Sequence, residues 1–593
     1  MRKSWARLYA PFLALAMIQA ALVLVAPSRG DSQQQVTSFG AAGSGRGFAS
    51  DGAGGDEFAS TAGASSTSGS GTGSGVSSSA GGGRTTRSGA AVTGGSNDAI
   101  GSAPGATVGT TPLGPGGGLA STGDTSHCTP GGRQFAVLLN GGPPCVAKFT
   151  GNNGGATSQG VTGDTVKIVF FSSKPNDQVD AILGSQGLAV PYAQSVDYIE
   201  TALAFVEKHY ELYGRKIEPV FVQGDCPTTP PDYDVCNAEA QKVAKLNPFM
   251  VVWGTPLYAS VFDIWAKHGI VSLGGWHFSN EFFTGRRPYR YDPFMQGSES
   301  ADVIAEYYCK KLAKQNASHS GQVIHPQVGT RGSVARKLGI VVPEIEANVL
   351  TAKRVAGAVE GCDPGKQVPI FTYESDIERA TEQTQATVSG LIDADVTTVV
   401  CMCDPIAPAF LTSGMTANNY FPEYLTSGMG FVDDDLVGRL YDKQQMRHAF
   451  GPSQVATAIP RAEGDSARVW REMGRPGSPC GKNGCGIQWA YVNLLATGLQ
   501  MAGPDLNPLS FERGLLTMPP SGGWATGDPR IVLSKFGQND YTGLSDFREV
   551  YWSNSRQSPV DGERGGYVDV NGGRRYELGQ LTVGLEGVPV EPN

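Results

Sequence analysis

The sequence has little charge for its 593 residues, and the excess is acidic. Charged residues make up 17% of the chain, with 55 Asp and Glu against 46 Lys and Arg. A nucleic-acid-binding domain needs a basic patch or stripe. The densest basic group, Arg286, Arg287 and Arg290, is typical of a solvated loop. We therefore expect no nucleic-acid partner.

The sequence also lacks the short motifs of common catalytic and metal sites. Its seven histidines are scattered singly, and it contains no HExxH, P-loop or GxSxG pattern. We therefore predict no catalytic residue, no metal site and no cofactor. Paired carboxylates of a secreted glycoside hydrolase stay open as a less favoured interpretation.

The N-terminus predicts export from the cytoplasm. Arg2, Lys3 and Arg7 precede an apolar run from Pro11 to Ala26, as in a secretory signal. Residues 1–30 are therefore a signal peptide or a retained membrane anchor, and both alternatives stay open. The first cysteine is Cys128, which excludes a bacterial lipoprotein. We predict an extracytoplasmic protein that is secreted or associated with the cell envelope and touches the membrane only through this segment.

Residues 31–125 are rich in glycine and serine, which bury little apolar surface. Such a composition predicts a disordered tether, because glycine loses the most backbone entropy on ordering. It would hold the following domain away from a membrane.

The ten cysteines predict disulfides, since their number is even and the chain is exported. Short separations favour Cys128 with Cys145, Cys226 with Cys236, and Cys480 with Cys485. The pairing of the other four, Cys309, Cys362, Cys401 and Cys403, stays open. For Cys401-Met-Cys403, a disulfide role is favoured over a metal or redox pair.

From Gly160 onward, β-rich runs alternate with helical periodicity. The first set runs from the strand at Thr165 to Phe171 to the strand at Ile270 to Leu273, and the second from Leu338 to Thr426. In the second set, Ser375 and Glu378 form a plausible capping box. This alternation predicts an α/β fold of two Rossmann-like lobes with parallel sheets. The apolar helix from Gly486 to Ala502 returns to one lobe, and residues 524–590 are predicted to form extended hairpin structure.

Several segments resemble the type 1 periplasmic binding proteins, in the branch related to branched-chain amino-acid binding proteins of ABC importers. They are GVTGDTVKIVFF (160–171), VVWGTPLYAS (251–260), GIVSLGG (269–275), RYDPFMQGSESADVIAEYY (290–308), KLGIVVPE (337–344) and VTTVVCMCDPIAPAFL (396–411). The resemblance covers residues 160 to about 555. It implies a solute-binding domain over 126–593 with a hinge of three crossovers. Its lobes would span roughly 160–285 and 286–425, with 426–593 returning across both.

The resemblance also implies where a ligand would bind. In open α/β sheets, ligands contact the loops at the carboxyl ends of the strands. Ser260 and the backbone of Tyr258 and Ala259 fall where relatives bind a substrate carboxylate. Gly275 and Trp276 lie on the rim, and Trp276 falls where relatives place a second donor. Asp404 and Ser427 follow strands whose counterparts supply an aromatic contact and a carboxylate.

Departures from the family pattern leave the ligand open. Glu344 stands where relatives have a Tyr-Gly pair. Ser427 stands near the position where relatives place a carboxylate for the substrate ammonium. Glu344 or Asp404 is a candidate to replace that carboxylate. We predict capture of a small polar solute, such as an amino acid or an amide, without catalysis and for an ABC-type permease. The alternative is a ligand-free or sensory wall-associated interaction protein with the same fold.

Overall fold

The computed structural model describes residues 123–140, 142–253, 258–320, 334–582 and 590. The predicted signal peptide or anchor, nearly all of the predicted tether, and the part of the tail at 583–589 and 591–593 lie outside these residues. So do residues 254–257, the start of the predicted carboxylate-binding loop. Among the described helices, none combines the length and apolar composition needed to cross a bilayer.

The first sheet consists of five parallel strands in the order β2-β1-β3-β4-β5. Its strands are β1 (Thr165–Lys174), β2 (Lys216–Pro227), β3 (Met250–Trp253), β4 (Val271–Leu273) and β5 (Arg290–Tyr291). The intervening helices are α1 (Asp177–Gly184), α2 (Tyr192–His209), α3 (Tyr233–Ala244), α4 (Ala259–Lys267) and α5 (Asn280–Thr284).

The second sheet repeats this order and then extends it. Strands β6 to β10 are parallel in the order β7-β6-β8-β9-β10, and antiparallel strands β11, β12 and β13 follow on the β10 side. The strands are β6 (Leu338–Pro343), β7 (Ile370–Tyr373), β8 (Thr398–Cys401), β9 (Glu423–Leu425), β10 (Ala449–Ser453), β11 (Phe547–Gln557), β12 (Arg564–Asp569) and β13 (Arg575–Tyr576). The helices are α6 (Gly297–Tyr307), α7 (Glu346–Cys362), α8 (Ala380–Asp393), α9 (Ala407–Ala417), α10 (Asp435–Gly438) and α11 (Lys443–Met446).

Both faces of each sheet are covered, which explains the continuous apolar strands of the sequence. In β6, Ile340 packs into one core and the adjacent Val341 into another on the opposite face. The predicted α/β fold of two Rossmann-like lobes with parallel sheets is therefore confirmed.

The chain passes between the two sheets three times. The crossovers are residues 292–296, 454–464 and 517–546. Between the second and third, helices α12 (Asp465–Glu472), α13 (Gly486–Ala502) and α14 (Pro508–Leu516) return to the core of the first sheet. We call residues 165–291 with 465–516 lobe one, and residues 297–453 with 547–576 lobe two. Residues 123–164, which precede β1, form an accessory segment whose Phe135 and Leu138 enter the core of lobe one.

Five disulfides join all ten cysteines. They are Cys128–Cys145, Cys226–Cys236, Cys309–Cys362, Cys401–Cys403 and Cys480–Cys485. The four cysteines whose pairing the sequence left open thus form one bridge between α7 and the turn after α6, and one at the end of β8.

The capping box predicted at Ser375 and Glu378 is wrong. The side chain of Asp376 accepts the Glu378 N–H at 3.0 Å, and a short 3-10 turn over Ile377–Arg379 precedes α8. An aspartate at this position caps as well as serine does, so the sequence offered two neighbouring caps and spacing could not separate them.

Candidate functional site

A cavity of about 590 Å³ lies between the two lobes. Its wall combines side chains of lobe one, lobe two, all three crossovers and the accessory segment. Trp276 comes from lobe one, Phe294 from the first crossover and Phe431 from lobe two. The Trp276 and Phe431 ring centroids are 6.3 Å apart, and those of Phe294 and Phe431 are 5.1 Å apart. We call these three residues the aromatic wall.

Trp276 is carried by a glycine-rich loop that follows β4. Gly274 donates its N–H to Tyr291 O at 3.1 Å, and Gly275 has a φ of +87°. A Cβ on Gly275 would lie 2.6 Å from Arg290 Nη2, so any side chain at this position would displace the guanidinium.

Arg290 is the anchor of this first loop. Its side chain is fully buried, with Nη1 donating to Ser272 Oγ at 2.8 Å, Nη2 donating to Gly274 O, and the guanidinium 3.5 Å from the Phe262 ring centroid. Arg290 forms no ion pair with a described residue. Burial lowers its pKa to about 9, although the nearby Asp292 partly offsets this effect.

Asp292 backs the same loop from the first crossover. It accepts the N–H of Phe294 at 2.8 Å and the hydroxyl of Tyr491 at 3.2 Å, and it is fully buried. Burial raises its pKa to about 7, which the Phe294 N–H, Arg290, Tyr491 and the Trp276 N–H only partly counter. A buried carboxyl therefore titrates near neutral pH directly behind the cavity wall.

Phe431 is carried by a second glycine-rich loop, which follows β9. Gly428, Gly430 and Phe431 all have φ between 59° and 65°. A Cβ on Gly430 would lie 2.5 Å from Cys403 O, a backbone atom that cannot move aside. Ser427 starts the loop by donating its hydroxyl to Cys401 O at 2.9 Å. The strained backbone fixes the Phe431 ring against the cavity.

Asp433 is the buried acid of the second loop. Its Oδ2 accepts the N–H groups of Gln454 at 2.8 Å and of Val455 at 3.2 Å, which join lobe two to the second crossover. Burial raises its pKa, while Ser453 and Arg548 partly offset that rise. Asp433 and Gln454 both line the cavity.

Of the predicted binding residues, Trp276 lines the cavity. Gly275 is buried beside it and shapes its loop. Tyr258 and Ser260 lie apart from the cavity: Ser260 Oγ lies 2.7 Å from Asn237 Oδ1, and Tyr258 donates its hydroxyl to Pro227 O at 3.3 Å. Ala259 begins α4. The binding roles of these lobe-one residues stay predictions.

The predicted lobe-two residues do not line the cavity, although Asp404 and Ser427 adjoin the wall residues Pro405 and Gly428. Asp404 Oδ1 accepts the N–H groups of Ile406 and Ala407 at the start of α9, and its Oδ2 accepts the Tyr373 hydroxyl at 2.7 Å. Glu344 is exposed after β6. Ser427 is buried below its loop. Their binding roles also stay predictions.

The sequence did not indicate the crossover and accessory-segment parts of the wall. Gln454 to Arg461 and Val532 to Leu544 follow no helical or strand period, and Arg133 lies in a polar stretch between two cysteines. One signal was present: Gly428-Met429-Gly430 lies in the loop after a predicted strand, as Gly274-Gly275 does.

One group among the described residues has metal-ligand spacing, and it consists of His127, Cys128 and Cys145. Both cysteines are joined in a disulfide. Thiolates are the species that bind metals, so this group is a structural bridge with a neighbouring imidazole.

No protein-family model and no curated protein sequence matches this chain. Solved structures of ABC transporter substrate-binding proteins are similar to it. The fatty acid ABC transporter substrate-binding protein from Thermomonospora curvata has a TM-score of 0.48 and 13% identity, with 74% of this chain and 99% of that chain covered.

Two further structures of this kind are similar. The solute-binding protein from Rhodopseudomonas palustris BisB5 in complex with 3,4-dihydroxybenzoic acid has a TM-score of 0.48 and 13% identity, covering 70% of this chain and 98% of that one. A possible leucine/isoleucine/valine-binding protein from Rhodopirellula baltica SH 1 has a TM-score of 0.47 and 11% identity, covering 68% and 96%.

Proposed function

We propose that this protein captures a small organic solute in the cavity between its lobes, outside the cytoplasm, and delivers it to an ABC-type permease. Capture needs no catalysis, because a ligand that contacts both lobes shifts the equilibrium between open and closed forms. The amino acid or amide expected from the sequence is one class of such solutes.

The observation that carries the proposal is the composition of the cavity wall. Lobe one supplies Trp276, lobe two supplies Phe431, and the first crossover supplies Phe294, so a solute among these rings contacts both lobes and the hinge at once. The volume of the cavity falls in the range of small-molecule sites, which are about 300–1,000 Å³ and largely apolar with a few polar groups.

Thermal unfolding of the full-length protein against a solute panel tests the proposal. The panel holds free amino acids, primary amides, sugars, and aromatic and aliphatic acids. At least one compound should raise the Tm, because a ligand that binds only the folded state stabilises it by mass action. A panel without any shift would contradict solute capture and favour the alternative of a ligand-free interaction protein.

Two substitutions then connect the ligand to the cavity. Trp276→Ala and Phe431→Ala should each weaken the ligand about 10-fold, the loss expected when an aromatic contact is removed from a buried site. Trp524→Ala is the matched control, since Trp524 is partly exposed and lies off the cavity wall. Equal affinities for Trp276→Ala and the wild type would place the ligand elsewhere.

A further inference from the structure

The accessory segment closes one side of the cavity. Arg133, Leu139, Asn140 and Pro143 line it, although they precede the first strand of the two-lobed fold. Asp465, the first residue of α12, accepts the N–H of Leu139, the N–H of Asn140 and the side-chain amide of Asn140. These bonds, with the Cys128–Cys145 bridge, fix the segment against lobe one.

Arg133 is the cation of the wall that forms no ion pair with a described carboxylate. Its guanidinium is half-buried and makes one long hydrogen bond, from Nη1 to Gly142 O at 3.4 Å. Burial lowers its pKa, and no described carboxylate offsets this effect. A half-buried charge without a partner is unfavourable, so the empty face of this guanidinium favours an anion.

The other arginines of the wall are all paired. Arg461 lies 3.6 Å from Asp434, and Arg530 lies 2.6 Å from Asp528. Arg548 pairs with Asp569. Arg133 therefore differs from these other arginines of the wall, because each of them already pairs with a described carboxylate.

A second donor on the same wall is also unused. Asn493 of α13 accepts the Tyr210 hydroxyl at 2.5 Å through Oδ1, while its Nδ2 donates to no described residue. The nearby acid Asp465 is occupied by the three N–H groups of the accessory segment. The cavity wall therefore offers a ligand two hydrogen-bond donors, the guanidinium of Arg133 and the side-chain amide of Asn493.

Much of the remaining cavity wall is apolar. Leu183, Leu188, Ile487, Trp489, Val532 and Phe536 contribute to it. Apolar surface favours the hydrocarbon part of a ligand by about 25 cal/mol per Å² removed from water.

We propose that the cavity binds an amphipathic organic acid whose carboxylate pairs with Arg133 and whose hydrocarbon body lies on the apolar wall. This inference rests on the proposed function. A guanidinium binds a carboxylate through two parallel N–H groups, which Arg133 can offer without breaking an existing ion pair. The accessory segment is then part of the binding site.

Isothermal calorimetry on the full-length protein provides the test. The probes are decanoate, 4-phenylbutyrate and 1-naphthoate at neutral pH, each measured beside its primary amide. At least one acid should bind more tightly than its amide. Arg133→Gln should weaken that acid about 10- to 100-fold, the range for a charge-assisted hydrogen bond, and leave the amide unchanged.

Arg530→Gln is the matched control, because Arg530 lines the same cavity but is already paired with Asp528. It should alter acid binding by less than about threefold. Equal acid affinity in Arg133→Gln and the wild type would overturn the inference, and so would preferential binding of amides, amines or sugars; either result leaves solute capture intact. Failure of every compound in both panels would instead remove the proposed function itself.

Discussion

The two lobes present their aromatic rings on loops that occupy equivalent places in the fold. Trp276 follows β4 and Phe431 follows β9, the fourth strand of each parallel set when the strands are counted along the chain. Both loops begin with glycines at positive φ. The two loops differ in what lies behind them. The first is anchored on the buried cation Arg290, whereas the second is held by backbone contacts and the carboxylate of Asp433.

This difference means that the two halves of the aromatic wall should respond to different perturbations. The first loop is backed by Arg290 and Asp292, so its stability depends on the charge of buried groups. The second loop is shaped by close backbone contact at Gly430, so its stability depends on space. The first experiment below changes the buried charge behind the first loop, and the second changes the space around both loops.

Asp292→Asn should produce the largest effect, in the pH dependence of stability. The folded pKa of Asp292 is about 7 and the ordinary value is 3.8. The folded protein therefore retains this proton where the unfolded chain releases it. The stability that this proton contributes to the folded state is fully present below pH 4 and is lost as the pH rises to about 7. Urea unfolding from pH 4 to 8 should show the wild type losing about 4 kcal/mol relative to Asp292→Asn.

Asp528→Asn gives a control of opposite sign. The hydrogen bond from Arg530 lowers the pKa of Asp528, so the stability that this group contributes is lost only as the pH falls below about 4. If the wild-type and Asp292→Asn curves ran parallel across pH 4 to 8, the first loop would not rest on a titrating carboxyl.

Gly430→Ala and Gly275→Ala compare the two loops directly. Both positions have positive φ, but the added Cβ would meet a fixed carbonyl in the second loop and the movable end of Arg290 in the first. We expect unfolding free energy to fall by about 3 kcal/mol for Gly430→Ala and about 2 kcal/mol for Gly275→Ala.

Gly572→Ala isolates the cost of the backbone angle alone. Gly572 has a φ of +65° with no heavy atom within 4 Å of the added Cβ, so its loss should be about 1 kcal/mol. Chemical denaturation of all three variants measures the series. An equal loss at Gly430 and Gly572 would show that the close contact with Cys403 is not maintained in solution.

The fold could be predicted because its information is local. With the exception of β5, each strand from β1 to β9 contains a short apolar run, and most of the longer helices between them show a period of their own, so order and class followed from windows of about ten residues. The predicted start of a helix was wrong where two neighbouring residues could both cap it, as Ser375 and Asp376 can.

The site was predicted less well because its wall is built by contacts distant in sequence. Trp276, which lines the cavity, was named because the resemblance places it on the rim. Arg133 could not be predicted, since contacts distant in sequence place it on the cavity, among them the bonds to Asp465, more than 300 residues away, and the packing of Phe135 into lobe one. The crossovers lack periodicity, and their position depends on how the lobes face each other.

The smallest effect is expected at an ion pair that joins the lobes beside the cavity. Lys482, between α12 and α13 of lobe one, lies 2.5 Å from Glu563 and 3.4 Å from Asp561 of lobe two. Because Lys482 and Glu563 are about half exposed, Lys482→Ala should lower unfolding free energy by less than about 1 kcal/mol. It should, however, speed ligand dissociation about twofold to threefold, since the pair forms only when the lobes meet.

Lys208→Ala distinguishes this role from general surface electrostatics. Lys208 and Glu472 form a pair of similar exposure at 2.8 Å, but both belong to lobe one. Its removal should change stability as little as Lys482→Ala does and leave ligand dissociation unchanged. Stopped-flow rates at about 0.02 M and 0.5 M salt complete the test, because screening should abolish the Lys482 effect. Identical rates for both variants at low salt would mean that the lobes close through the cavity wall alone.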